Sequence, residues 1–126
     1  MHQISKDIRV RAVARYIPER SNPLEPLYFF AYNITITNEG DTNARLRSRY
    51  WHITDAAGRV QEVRGAGVVG EYPYLKPGES YNYTSFCPLP TNYGFMKGHY
   101  VMETDEGETF EADIPAFALV IPDSAN

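Results

Sequence analysis

Apolar residues return at every second position through most of this chain. That period of two commits it to strands, because side chains alternate across a strand but recur every three to four residues along a helix face. Residues 7–16 place Ile8, Val10, Ala12, Ala14 and Tyr16 on even positions with Arg9, Arg11 and Arg15 between them, and only Val13 breaks the rule. Residues 28–38 repeat the pattern, with Tyr28, Phe30, Tyr32, Ile34 and Ile36 set against Asn33, Thr35 and Thr37. Residues 44–55 read as a third strand whose phase shifts, since Arg45, Arg47 and Arg49 share odd positions with Trp51 and Ile53. A bulge or strong twist near Tyr50 reconciles the two halves. Residues 60–64, 81–87, 99–104, 109–114 and 117–121 bring the set to about eight short strands, rich in the β-branched and aromatic residues that strands favour. Turn residues punctuate them at 38–41, 55–58, 76–78 and 105–107. No amphipathic helix of useful length interrupts, so the expected class is an all-β sandwich or barrel of antiparallel strands. Three stretches, 18–26, 65–74 and 88–98, read as longer irregular connections, where function tends to sit.

With 126 residues the chain reads as one domain spanning 1–126, large enough to bury about two thirds of its unfolded surface in a single core. Its one cysteine, Cys87, excludes an internal disulfide and a multi-cysteine zinc site, and fits a reducing compartment. A net charge of −4 and a pI near 5.3 argue against nucleic acid and anionic membranes as partners. The longest apolar runs, 27–32 and 116–121, are far short of the roughly 20 residues a membrane helix needs, and the first ten residues carry no signal-peptide core. The reading is cytoplasmic. The charge is uneven: residues 1–64 carry ten Lys and Arg against seven Asp and Glu, and residues 65–126 carry two against nine. Such opposed blocks, together with exposed strand edges, are compatible with a homodimer.

The motif most suggestive of a ligand is G-x-G-x-x-G at Gly65, Gly67 and Gly70, preceded by Arg64. In dinucleotide-binding folds this spacing opens a helix, but Pro73 and Pro77 forbid one here. What survives is a loop whose backbone amides form a nest for a phosphate-like anion beside Arg64, or whose glycines serve close packing between strands. Arg45, Arg47 and Arg49 are spaced i, i+2 and so read as same-sided; with Arg9, Arg11 and Arg15 they form a basic face if the first and third strands are neighbours. Such a face recognises an acidic or phosphorylated partner, or it pairs internally with the acidic run Glu103, Asp105, Glu106, Glu108, Glu111 and Asp113. That run lacks the spacing of a calcium loop, and His2, His52 and His99 are scattered, so no metal and no cofactor are expected. Ser85 and Cys87 share a strand face without a nucleophile elbow or an identifiable histidine, so no catalytic residue is assigned; Cys87 reads as a small core residue. Ten tyrosines and six phenylalanines exceed what alternation can bury, which leaves Tyr72, Tyr74, Tyr93 or Phe95 on loops as exposed aromatics of the kind protein-binding surfaces use.

Several of these segments, taken in order, carry a resemblance. The run 64–70, then Leu75-Lys-Pro-Gly-Glu-Ser-Tyr81, Tyr83-Thr-Ser-Phe-Cys87 and Gly94-Phe-Met-Lys-Gly-His-Tyr100, with residues 32–37, the Arg-Tyr-Trp at 49–51 and Phe117-Ala-Leu near the end, resemble the bacterial ApaG family across essentially the whole chain. The resemblance implies a β-sandwich of the immunoglobulin or fibronectin type III kind. It implies a genetic rather than biochemical link to cobalt and magnesium efflux, and no catalytic activity. Eukaryotic relatives carry the domain within F-box and polymerase-interacting proteins, which implies a protein-interaction module. The family's glycine motif has been proposed as a pyrophosphate-binding loop, and it maps onto Gly65, Gly67 and Gly70. The expectation is a non-enzymatic binding module that contacts an unidentified protein through Arg45, Arg47, Arg49, Tyr72 and Tyr74. The alternative is a pyrophosphate or nucleotide-phosphate sensor using Arg64, Gly65, Gly67 and Gly70.

Overall fold

A computed structural model describes residues 2–5 and 7–122, and alternation of apolar side chains resolves there into nine strands. They are β1 (His2–Ser5), β2 (Ile8–Tyr16), β3 (Tyr28–Asn38), β4 (Ala44–Asp55), β5 (Val60–Ala66), β6 (Tyr74–Leu75), β7 (Ser80–Leu89), β8 (Tyr93–Thr104) and β9 (Thr109–Val120), with one 3-10 turn at Pro18–Arg20. One sheet has the order β1-β2-β3-β7; the other has the order β5-β4-β8-β9, with β6 added to β4. Every pairing is antiparallel. The two sheets face each other as a sandwich of the fibronectin type III kind, as expected, with β9 lying against β1 and β2 along one side.

The core lies between the sheets and is built from the inward positions of both. Val10, Phe30, Ile34 and Ile36 come from the first sheet, and Leu46, Trp51, Tyr100, Met102 and Leu119 from the second. Burying a side chain of this size contributes about 1.5–3 kcal/mol relative to leaving it in water. The indole of Trp51 stands edge-on to Tyr32 at 5.3 Å and to Phe117 at 5.9 Å, the arrangement that ring quadrupoles favour. Two buried hydroxyls join the layers, Tyr83 on β7 and Tyr100 on β8, 2.5 Å apart. Burial pushes both phenols well above their ordinary pKa, so both stay protonated and one donates to the other. Cys87 is buried, as expected, and burial alone pushes its thiol up to about 11.

Polar side chains secure the strand connections. Asn38, buried at the end of β3, donates to the carbonyls of Thr42 and Leu75 and accepts from the Gly40 amide. It thereby ties the β3–β4 turn to the segment before β7. Asp55 closes the β4–β5 turn by accepting from the Ala57 and Arg59 amides and from Arg59 Nε. Burial opposes its ionisation, but those two amides and the Arg59 guanidinium outweigh it and hold the carboxyl below its usual range.

Four sequence expectations change. The bulge in β4 lies at Arg47, where the register jumps from Leu46 opposite Met102 to Ser48 opposite Val101, and not near Tyr50. The stretch 88–98 is no irregular loop: β7 runs to Leu89 and β8 starts at Tyr93, leaving only residues 90–92 to turn. The two short strands expected at 109–114 and 117–121 are one continuous β9. Pro115 is tolerated because β9 is an edge strand and the register shifts between Met96 and Gly98, with Met96 opposite Phe117 and Gly98 opposite Ile114. Finally, β1 was not anticipated; it pairs with β2 with Ser5 opposite Ile8.

Candidate functional site

The bulge at Arg47 divides the arginine stripe. Arg45 precedes it and faces outward, where its guanidinium lies 4.8 Å from the Tyr74 ring centre and donates to the Tyr72 carbonyl at 2.8 Å. Arg47, the inserted residue, also points outward and is ion-paired with Glu103. Beyond it the phase is reversed, and Arg49 stands directly opposite the fully buried Tyr100, so it belongs to the inner face. The same-sided reading of Arg45, Arg47 and Arg49 is therefore corrected, because one extra residue changes the face of everything after it. Nor do Arg9, Arg11 and Arg15 extend a basic face, since β2 and β4 belong to opposite sheets. The internal pairing weighed for the acidic run is present in the Arg47–Glu103 bridge. Tyr74 adds to it by donating to Asp105, which also accepts from Asn43 Nδ2. Those hydrogen bonds, Asn43's first, hold the Asp105 carboxyl below its usual range. Tyr72 is exposed beside this network and Tyr74 half-buried within it.

The glycine-rich segment begins inside β5 and ends in a two-residue reversal. Val68 and Glu71 exchange both backbone hydrogen bonds, at 2.9 and 2.8 Å, around Val69 and Gly70, whose φ angles are +43° and +81°. Gly67 donates its amide to the Arg47 carbonyl, and a side chain there would meet the Glu71 carbonyl oxygen at 2.4 Å. Gly65 clears space for a different reason: a Cβ would lie 2.7 Å from the Arg49 guanidinium. Arg49 in turn donates through Nη1 to the carbonyls of Ala66 and Gly67, at 3.0 and 2.8 Å. The spacing thus forms a tight turn and seats an arginine. Arg64 lies on the outward face, 4.5 Å from the centre of the Tyr50 ring, whereas Arg49 lies on the inner one.

Tyr93 and Phe95 are exposed, but on β8 rather than on a loop. Across the outer face of the five-stranded sheet, Val60 pairs with Thr54, Thr54 with Phe95 and Phe95 with Ala118, and two residues further along β8 Tyr93 pairs with Val120. Phe95 is 49% exposed and Val120 53%, with the Tyr93 ring edge-on to that of Phe95. The row crosses β5, β4, β8 and β9 and is apolar except for Thr54 on β4. Sequence alternation could have located it, since Phe95 is out of phase with the buried Met96, but a proline and a glycine nearby suggested a loop. A second aromatic group also escaped the sequence reading: Phe29 and Phe86 on the outer face of the four-stranded sheet, with Arg20 stacked 4.1 Å above Phe29.

Among the described residues no group of three His, Cys, Asp or Glu side chains is placed to hold a metal ion, and no helix is long and apolar enough to cross a membrane. Comparison with known proteins gives the lineage. The family model for the ApaG domain matches residues 18–104. The chain belongs to the ApaG family. Protein ApaG of Methylobacterium sp. (strain 4-46) is 55% identical over 94% of this chain and 91% of its own length. Protein ApaG of Mesorhizobium japonicum is 54% identical over 94% and 92%. A crystal structure of a putative ApaA protein from Bordetella pertussis superposes with a TM-score of 0.90 at 50% identity, covering 93% of this chain and 95% of that one. The ApaG domain match includes the bulged β4, the glycine-rich turn and β8 with Tyr93 and Phe95, while Ala118 and Val120 on β9 lie beyond it.

Proposed function

We propose that this ApaG-family chain is a non-catalytic binding module of the cytoplasm that contacts a partner protein through the outer face of its five-stranded sheet. The observation that carries the reading is the row of Val60, Phe95, Ala118, Tyr93 and Val120, set in regular strands and, among the described residues, left exposed. Contiguous exposed apolar surface with aromatic anchors is what partner-binding faces present. Arg45, Arg47, Tyr72 and Tyr74 contribute at the opposite end of that sheet, where Arg45 is held by the Tyr72 carbonyl and Arg47 is paired with Glu103, so that they set specificity more than affinity. We place the link to cobalt and magnesium efflux in the partner, not in a metal held by this chain. The anion-sensor alternative at Arg64, Gly65, Gly67 and Gly70 has less support, because the Gly67, Val68 and Glu71 amides already donate within the protein. A Phe95→Asp variant of unchanged stability tests the proposal in affinity capture from cytosol. Loss of proteins that wild type retains supports it, and loss only of a second copy of this chain assigns the face to a homodimer. Identical capture by both overturns it.

A further inference from the structure

On the side of the sandwich away from β9, the edges of β5 and β7 stand apart and a cleft of about 230 Å³ opens between the sheets. Its walls come from Trp51, Met96, Val63, Cys87, Ser85 and Arg49. We propose that this cleft binds a small organic carboxylate, its anionic end on Arg49 and its apolar body along Trp51 and Met96. Three observations carry this, and none of them depends on the partner-binding face. First, Arg49 is a cation on the inner face of a sandwich, and among the described residues it forms no salt bridge. Its Nη1 is fixed by two backbone carbonyls, which holds the guanidinium at the cleft with further N–H donors for a planar anion. Arg49 is only partly buried and one of those hydrogen bonds is solvent-exposed, so an anion from solvent can reach its remaining N–H donors. Second, Trp51 is 2% exposed and among the described residues its indole N–H has no acceptor, although buried donors are almost always satisfied. That nitrogen is sealed from solvent, so an acceptor reaches it only as the cleft walls adjust around a bound ligand. Third, the cleft is below the ~300–1,000 Å³ of sites for drug-sized ligands, and its mixed apolar and hydroxyl lining suits a compact body with one charged end better than a polyphosphate.

The chain has a single tryptophan, so the Trp51 indole gives one unambiguous amide-type signal in a proton–nitrogen correlation spectrum. Titrating the full chain with benzoate is expected to move that signal saturably, while benzamide, its neutral counterpart of the same shape, and inorganic phosphate bind at least tenfold more weakly. Arg49→Gln is expected to abolish the benzoate response, and the benzoate–benzamide comparison on wild type reads the charge dependence even if that variant does not fold. No movement of the indole signal up to about 20 mM benzoate, a range that captures even very weak sites, overturns the proposal. So does equal binding of benzoate and benzamide, or a stronger response to phosphate than to benzoate.

Discussion

Val69 occupies a backbone conformation that a β-branched residue seldom accepts, with φ at +43° in a two-residue reversal. Positive φ at both central positions marks the primed turn that matches the twist of antiparallel strands, and Asn-Gly is its preferred pair. Gly70 already meets the second requirement, and Val69 departs from the first at a cost of order 1 kcal/mol. Because Val69 is exposed, its replacement removes little buried surface. Val69→Asn is therefore expected to stabilise the fold by about 1 kcal/mol, seen as a higher denaturant midpoint at unchanged slope. A lower midpoint would show that Val69 makes contacts that outweigh its strain. The same scale explains the glycine motif, whose first two members are dictated by neighbours, Arg49 for Gly65 and the Glu71 carbonyl for Gly67.

At the scale of elements, β4 and β8 form the spine of the second sheet, and Gly98 of β8 packs directly against the β4 backbone. A Cβ at that position would lie 1.9 Å from the Tyr50 carbonyl oxygen, a backbone atom in a paired strand that cannot step aside. Gly98→Ala is expected to destabilise by about 3 kcal/mol or more, measured by chemical denaturation; a change within about 0.5 kcal/mol would mean that the strands can part freely. This is also the scale at which the sequence was partly legible. Alternation located β2, β3 and β4 within a residue or so, because each has one buried and one solvated face, and it narrowed the class to an all-β sandwich or barrel; the sandwich itself was what the family resemblance implied. It could not place the bulge. Arg45, Arg47 and Arg49 look identical in spacing, and only the pairing of Leu46 with Met102 and Ser48 with Val101 shows which arginine is the extra one. Arg49 and its cleft were hidden for that reason. Tyr93 and Phe95 were legible as exposed aromatics, but Pro88 and Gly94 read as loop signals and hid the strands that align them, whereas Pro88 lies in edge strand β7. Gly94 packs within β8, where a Cβ would meet the Thr54 carbonyl at 2.7 Å.

For the whole molecule, the two layers are held by apolar packing and by buried polar contacts, among them the Tyr83–Tyr100 hydroxyl pair and the hydrogen bond from Asn38 to the Leu75 carbonyl. Removing either hydroxyl leaves the other buried without its partner, at about 1–3 kcal/mol, whereas removing both leaves no orphan. Tyr83→Phe and Tyr100→Phe should each destabilise, and the double variant should cost clearly less than their sum in a thermodynamic cycle. Additive effects would mean that the two hydroxyls do not depend on each other. The outer faces have a different character. The outer face of the five-stranded sheet carries ion pairs and stacked rings near its middle, where Arg64, Tyr50 and His99 meet, and an exposed, largely apolar row at one end. The account rests on that row being a contact surface. The most direct measurement places a photo-crosslinking amino acid at Phe95 and, as a control, at Arg11 on the opposite sheet, in living cells that express the protein. The account predicts a discrete crosslinked partner from position 95 that is absent from position 11. No crosslink at 95, or the same products from both positions, would contradict it.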